Sequence, residues 1–276
     1  VSPSGVAGLT FKDEADTVNR LVGILKARGV KAIVVMIHEG GYNTSGTEYN
    51  GCPGISGPIV DIVERTRQDV DLFITGHTHQ AYNCVIDGRV VTSAASNGRL
   101  LTRIDMELNR RTKDVQSVTA ENLVVAQTVT KDPVITALIA KYEAIAGPLQ
   151  NRVIGSITGD FVRGATRGVE SNIGRLIADA MLDATDDPGT GNAQIAFMNA
   201  GGIRDDFFVN EISGGEQIGE VTYGEMFNVQ PFGNAMVTMD LTGTQIDQAL
   251  EAQWIGVNPV PGNKLLQVSE GFTYSY

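Results

Sequence analysis

The chain has 276 residues, 42% hydrophobic and 19% charged, with a formal net charge of −11. This composition supports a packed core in one large or two modest domains. The acidic balance speaks against non-specific binding of nucleic acid or of an anionic membrane surface. No run of about 18 apolar residues occurs, so no membrane-spanning helix is expected. The opening "VSPSGVAGLTFKDEAD" has neither a basic n-region nor an apolar h-region and does not read as a signal peptide.

In chain order, Val18, Leu21, Val22 and Leu25 recur at helical spacing over 17–28, and Gly29 stops the run. "KAIVVMIHEGG" (31–41) follows as a continuous apolar run, the pattern of a strand buried on both faces. A second helix is predicted over 58–68 from Ile59, Ile62 and Val63, and "DLFITGHTHQ" (71–80) reads as a second buried strand. The α-β-α-β order indicates a mostly parallel sheet covered by helices. Two hairpins are expected next, "YNCVIDGRVVTSAA" turning at Asp87-Gly88 and "LLTRIDMELNRRTKDVQSVTAENLVV" turning at Asn109-Arg110-Arg111.

Residues 132–146 predict a helix with Pro133 near its first position and Gly147-Pro148 as its end, forming a connector. A second unit begins near 151. "SNIGRLIADAMLDAT" is a helix capped by Ser171, and "AQIAFM" a short strand. "TYGE" (222–225) and "TGTQ" (242–245) have capping-box spacing and start two further helices, with "AMVTMDL" (235–241) a strand between them.

The chain has three histidines, His38, His77 and His79, and all follow the ends of the two apolar strands. Ligands of open α/β sheets collect at such C-terminal ends. Imidazole is the commonest metal ligand near neutral pH. His-x-His converges on one point only if the backbone bends, a bend assigned to Gly76. Asp71 precedes its strand and so lies at the wrong end, while nothing marks the nearby Glu39 and Asn43 as ligands. The only cysteines, Cys52 and Cys84, are either two thiols or one disulfide, which would imply an oxidising compartment.

In the second unit, "FMNAGGIRDDF" places Asn199, Gly201 and Gly202 before Arg204. Paired glycines let backbone N–H groups approach an anion, and arginine adds a planar donor. The plain alternative is a turn with a solvated charge. "RGATRGVESNIGR" adds Arg163 and Arg167 ahead of a helix N-terminus, an anion site or a solvated basic loop. Phe232, in the Pro-Phe-Gly-Asn loop that also holds Asn234, is either a stacking face for a base or a plug in the core.

"VVMIHEGG" and "FITGHTHQ" resemble the last two motif blocks of calcineurin-like metallophosphatases, in the branch fused to a 5′-nucleotidase C-terminal domain. "SNIGRLIADAM", "NAGGIR" and "VQPFGN" resemble that C-terminal domain in order and spacing. The resemblance implies an α/β fold in three parts. Residues 1–125 would be the second half of a metallophosphatase sandwich, 126–150 a connector helix, and 151–276 a truncated substrate-binding domain that rotates as a body. It implies His38, His77 and His79 as ligands of a two-metal centre (Zn, Mn or Fe), with in-line attack on phosphorus by a metal-bridging hydroxide. It further implies that Arg163, Arg167 and Arg204 bind the phosphate end or sugar of a nucleotide. Asn199 would contact the nucleoside, Phe232 would form one wall around the base, and Gly201, Gly202 and Asn234 would line the same pocket.

The family's upstream Asp-x-His and Gly-Asn-His blocks and its downstream Gly-Gly-Asp-Gly loop do not occur in this sequence. Catalytic residues are therefore expected outside it. The segment alone is expected to be inactive, with exposed sheet edges open to self-association. The reaction expected of a full-length, secreted, periplasmic or cell-envelope protein is 5′-nucleotidase hydrolysis. The alternatives are 2′,3′-cyclic nucleotide phosphodiesterase or UDP-sugar hydrolase activity on the same scaffold, or non-catalytic nucleotide binding.

Overall fold

A computed structural model describes residues 3–45, 48–164, 169–254 and 265–275. The chain divides into two compact units, Val1–Thr130 and Lys131–Tyr276. Both mix helices and strands, as expected.

In the first unit, helix α1 (Glu14–Ala27) starts ahead of its apolar stripe because Asp13 caps it, accepting from the Asp16 N–H at 2.9 Å. Glu14 and Asp16 suit the positive end of the helix dipole. Helix α2 (Pro58–Arg65) opens on proline and buries Ile59, Ile62 and Val63. Strands β1 (Val34–Met36), β2 (Leu72–Ile74), β3 (Ala81–Ile86) and β4 (Arg89–Ala94) form one sheet in the order β1-β2-β4-β3. The β1/β2 and β2/β4 pairs are parallel and β3/β4 antiparallel. Val22, Ile59, Val63, Val70, Phe73, Tyr82 and Val91 form the core between helices and sheet.

One expectation fails here. β1 is an edge strand, and Met36 on its outer face is 78% exposed. An apolar run reads as doubly buried, yet each face needs a layer to cover it, and among the described residues only one face of β1 has one.

The Asp87-Gly88 turn carries left-handed φ angles of 48° and 77°, which match the twist of a two-residue hairpin. Strands β5 (Leu100–Asn109) and β6 (Asp114–Val124) form the second hairpin. Its turn is organised by the Asn109 side chain, which accepts from the Arg111 and Thr112 N–H groups at 2.9 and 3.1 Å.

Arg89 is buried against the end of α2 and donates to the carbonyls of Val63, Thr66 and Arg67, tying the helix end and the turn after it to β4. Cys52 and Cys84 form a disulfide with their Cα atoms 5.5 Å apart, fastening the loop after β1 to β3. Closing a loop of sequence separation 32 stabilises the fold by roughly 3–4 kcal/mol in the chain-entropy picture.

In the second unit, helix α3 (Pro133–Gln150) is capped by Asp132, which accepts from Val134 and Ile135. The helix does not end at Gly147-Pro148. In the last turn, proline forfeits only the bond to the residue 144 carbonyl, and the helix still closes through Asn151 N–H donating to the Gly147 carbonyl at 2.8 Å. Strands pair as β7 (Val153–Ser156) with β9 (Glu220–Thr222) and β8 (Phe197–Asn199) with β10 (Leu266–Val268), both antiparallel.

Helix α4 (Asn172–Asp183) is capped by Ser171, and α5 (Tyr223–Val229) and α6 (Gly243–Glu251) carry the predicted capping boxes, Thr222 with Glu225 and Thr242 with Gln245. Ile173, Ala178, Met198, Ile203 and Val229 form this unit's core. The strand predicted at 235–241 does not form, and Met236, Val237, Met239 and Leu241 are exposed. Alternating apolar residues make a strand only beside a free sheet edge, and among the described residues none pairs with this segment.

Candidate functional site

The parallel register Val34↔Leu72 and Met36↔Ile74 brings the C-terminal ends of β1 and β2 to the same edge of the sheet. His38 and His77 leave these ends, and their rings meet edge to face with centroids 5.1 Å apart. Both are exposed, as is His79.

The two loops are stitched together. The Gly76 N–H donates to the Glu39 carbonyl at 3.2 Å, and Thr78 Oγ1 donates to the Gly41 carbonyl at 2.9 Å. Gly40 sits so close to the second loop that a Cβ there would run into the Gly76 carbonyl and Thr78 Oγ1. Beneath them the fully buried Tyr82 accepts from the Gly41 N–H at 3.2 Å and shares a hydrogen bond with Thr75 Oγ1. Burial pushes the Tyr82 phenol above its ordinary pKa, so it stays a neutral bridge between loops.

The bend between the histidines is not where the sequence suggested. Left-handed φ falls on His77 (67°) and His79 (56°) themselves. Gly76 lies against the His38 ring, where a Cβ would make ordinary contact with Nδ1 at 3.4 Å. A side chain in this conformation costs about 1–2 kcal/mol per residue. Such strain gathers at functional sites.

Asp71 lies at the far end of β2, as expected, and accepts from the Ile33 N–H at 2.8 Å. Asn43 is occupied by the Ala81 carbonyl, and Glu39 accepts from the neighbouring Gly40 N–H. Among the described residues, no group of three or more His, Cys, Asp or Glu side chains is placed to hold a metal ion. These loops therefore offer a pair of facing imidazoles, with His79 two residues on, and not a closed coordination sphere.

The second unit gathers the other predicted residues. Asn199 ends β8, and Ala200–Gly202 make a single 3-10 turn. Arg204 follows, anchored by its N–H to the Val229 carbonyl at 2.9 Å. Its side chain donates to the Gly201 carbonyl at 3.3 Å, and its guanidinium carbon lies 5.7 Å from the Phe232 ring centroid. Phe232 is 49% exposed, so it is a face under Arg204 and not a core plug.

A backbone bridge between Phe161 and Phe207 draws Arg163 alongside Asp206. The Arg163 Nε and Nη2 donate to the two Asp206 oxygens at 2.9 and 3.1 Å, and Nη1 donates to the Arg204 carbonyl at 2.6 Å. Burial alone would raise the Asp206 carboxyl, but the hydrogen bonds and charge of Arg163 outweigh it and hold it below the ordinary range. Asn234 is exposed, and Arg167 lies outside the described residues.

Sequence reading missed Thr75, Thr78 and Tyr82 under the histidines, and Asp206 and Gln230 in the second unit. Gln230 donates to the Gly202 carbonyl at 3.2 Å. Only Asp206 left a signal, as a carboxylate pair directly after Arg204 in an otherwise unexplained "RDDF".

Residues 153–276 match the family model described as 5′-nucleotidase, C-terminal domain. The whole chain is similar to the endonuclease YhcR of Bacillus subtilis, 32% identical over 277 residues, which cover 100% of this chain and 20% of the relative. It is also similar to the cell wall protein Lmo0130 of Listeria monocytogenes, 28% identical, covering 89% of this chain and 32% of that protein. Among solved structures, a 5′-nucleotidase precursor from Thermus thermophilus superposes with a TM-score of 0.66 at 28% identity, covering 94% of this chain and 50% of that one. The chain thus spans between a fifth and a half of the length of these relatives. Residues 153–276 are thus similar to a 5′-nucleotidase C-terminal domain, within a chain whose fold is like that of a 5′-nucleotidase precursor.

Proposed function

We propose that the complete protein containing this chain hydrolyses nucleotide phosphate esters, as a metal-dependent 5′-nucleotidase. The second unit recognises the nucleotide, with Arg204 and Arg163 facing its anionic part and Phe232 its base, while Asn199, Gly201, Gly202, Asn234 and Arg167 complete the surroundings. The first unit contributes His38, His77 and His79 to a two-metal centre. The described residues do not close that centre, so the remaining donors come from elsewhere in the complete protein. Two divalent ions, when bound, supply nucleophile activation and charge neutralisation for an in-line displacement.

The observation that carries this reading is Arg204, held over the exposed Phe232 by its Gly201 and Val229 contacts, in a domain that matches the family. A cation and an aromatic face side by side suit a nucleotide's phosphate and base. A cell-envelope or secreted location is supported by the Cys52–Cys84 disulfide and by the cell wall protein among the relatives.

The test is phosphate release by the complete, metal-loaded protein from a panel of nucleoside monophosphates. Hydrolysis of none of them would falsify the reading. Phosphodiester hydrolysis is the second reading, favoured by the whole-chain similarity to a protein named an endonuclease. A product profile of nucleoside with free phosphate supports the first, and one of nucleotides cut from a 2′,3′-cyclic or polymeric substrate supports the second.

A further inference from the structure

The nucleotide reading leaves one charged group without a role, the Asp206 carboxylate, which faces the same arginine that would receive an anion. Its geometry is that of a clamp. It takes Arg163 Nε at 2.9 Å and Nη2 at 3.1 Å, and also the Arg163 backbone N–H at 2.8 Å, so both ends of that side chain are held. The third guanidinium nitrogen, Nη1, donates to the Arg204 carbonyl. A guanidinium has five N–H donors, and these bonds use one on each nitrogen, so Nη1 and Nη2 each keep one more. The Arg163 side chain is 41% exposed and that of Asp206 18%, so the acid is the more buried member of the pair. Asp205 is the other acid nearby, with Oδ1 3.7 Å from Arg163 Nη2.

We propose that Asp206 is a positioning residue for nucleotide capture. It fixes the Arg163 fork so that the two remaining N–H groups receive the anionic end of a nucleoside monophosphate. This rests on the nucleotidase reading above. A free arginine surrenders its rotamer freedom when it binds an anion, and a clamped one has already done so. The ion pair also cancels much of the Arg163 charge, so what remains is a directional donor pair, suited to a tetrahedral phosphate and poorly suited to a diffuse anion.

The test uses the complete protein with a nucleoside monophosphate as substrate and the matching nucleoside, which lacks phosphate, as competitive inhibitor. For Asp206→Asn and Asp206→Ala, KM should rise about 10- to 100-fold while kcat stays within about threefold. Inhibition by the nucleoside should not change, which also reports that the pocket is still folded. Weakening of nucleoside inhibition by the same factor as KM would reduce Asp206 to a structural ion pair and overturn the proposal. So would an unchanged KM in Asp206→Asn alongside a raised KM in Arg163→Ala, and that outcome leaves the nucleotidase reading standing. Absence of nucleotide hydrolysis in the wild type removes both.

Discussion

The histidine loops of the first unit and the arginine cluster of the second are built on opposite plans. In the first, the backbone does the positioning: two parallel strands end together, Gly40 allows close approach, Tyr82 pins the loops, and His77 and His79 accept left-handed φ. The imidazoles meet no matching cluster of ligating side chains among the described residues. In the second, side chains hold one another, with Arg163 clamped by Asp206 and Arg204 laid over Phe232. The first arrangement holds its side chains through backbone geometry, at a cost in strain. One built from paired charges is organised before its ligand arrives and gives up less entropy on binding.

That contrast predicts different responses to mutation. The largest effect should come from His77→Ala in the complete protein, a fall in turnover of about 10³-fold or more with a much smaller change in KM, if a metal ligand is lost. Steady-state kinetics with metal content measured on the same sample checks this, and retained turnover with full metal occupancy would remove His77 from the site. Next in size, reducing Cys52–Cys84 with a dithiol should cost the first unit roughly 3–4 kcal/mol. An unchanged thermal midpoint after reduction would argue that the loop is held without the bond.

Arg204→Ala should act on the opposite parameter from His77→Ala. Substrate capture should weaken about 10- to 100-fold, with kcat nearly kept. If kcat falls instead, the division of labour between the two sites is wrong. Smaller still, His79→Gly should be more stable than His79→Ala by about 1 kcal/mol, because glycine accepts a φ of 56° freely. Chemical denaturation of the two variants decides it, and equal stability would mean that the loop relaxes its bend.

The smallest effect is a pH dependence. The folded-state pKa of Asp206 is lowered, so its contribution is present above the unfolded value of about 3.9 and is lost as pH falls through the folded value. Acid titration of stability should therefore be flatter for Asp206→Asn, by about 1 kcal/mol or less. Identical acid limbs would show that the pair contributes nothing to folding and leave it a purely positional role.

The local features came through in sequence wherever physics acts over a few residues. Ser171, Thr222 with Glu225 and Thr242 with Gln245 cap helices because a side-chain oxygen three residues from an open N–H needs no distant partner. Asp87-Gly88 turns because those two residues accept left-handed φ. The histidines and arginines stood out as candidates, since few residue types can ligate a metal or grip a phosphate.

What failed depended on neighbours. Residues 235–241 alternate like a strand and, among the described residues, find no edge to pair with. The Val34–Met36 run is apolar throughout and still exposes a face. Whether an apolar pattern is buried is decided by which layer covers it, a property of contacts hundreds of atoms away in the chain.

The α/β class, most helix starts, the hairpins and the candidate residues for a metal and a phosphate could therefore be read along the chain. Only the tertiary structure decided how they are held: His38 against His77 through loops pinned by Tyr82, the bend on the histidines and not on Gly76, and Arg163 locked by Asp206 across 43 positions of chain. A ligating residue type is a local property. Its orientation is set by hydrogen bonds between segments that meet only after folding.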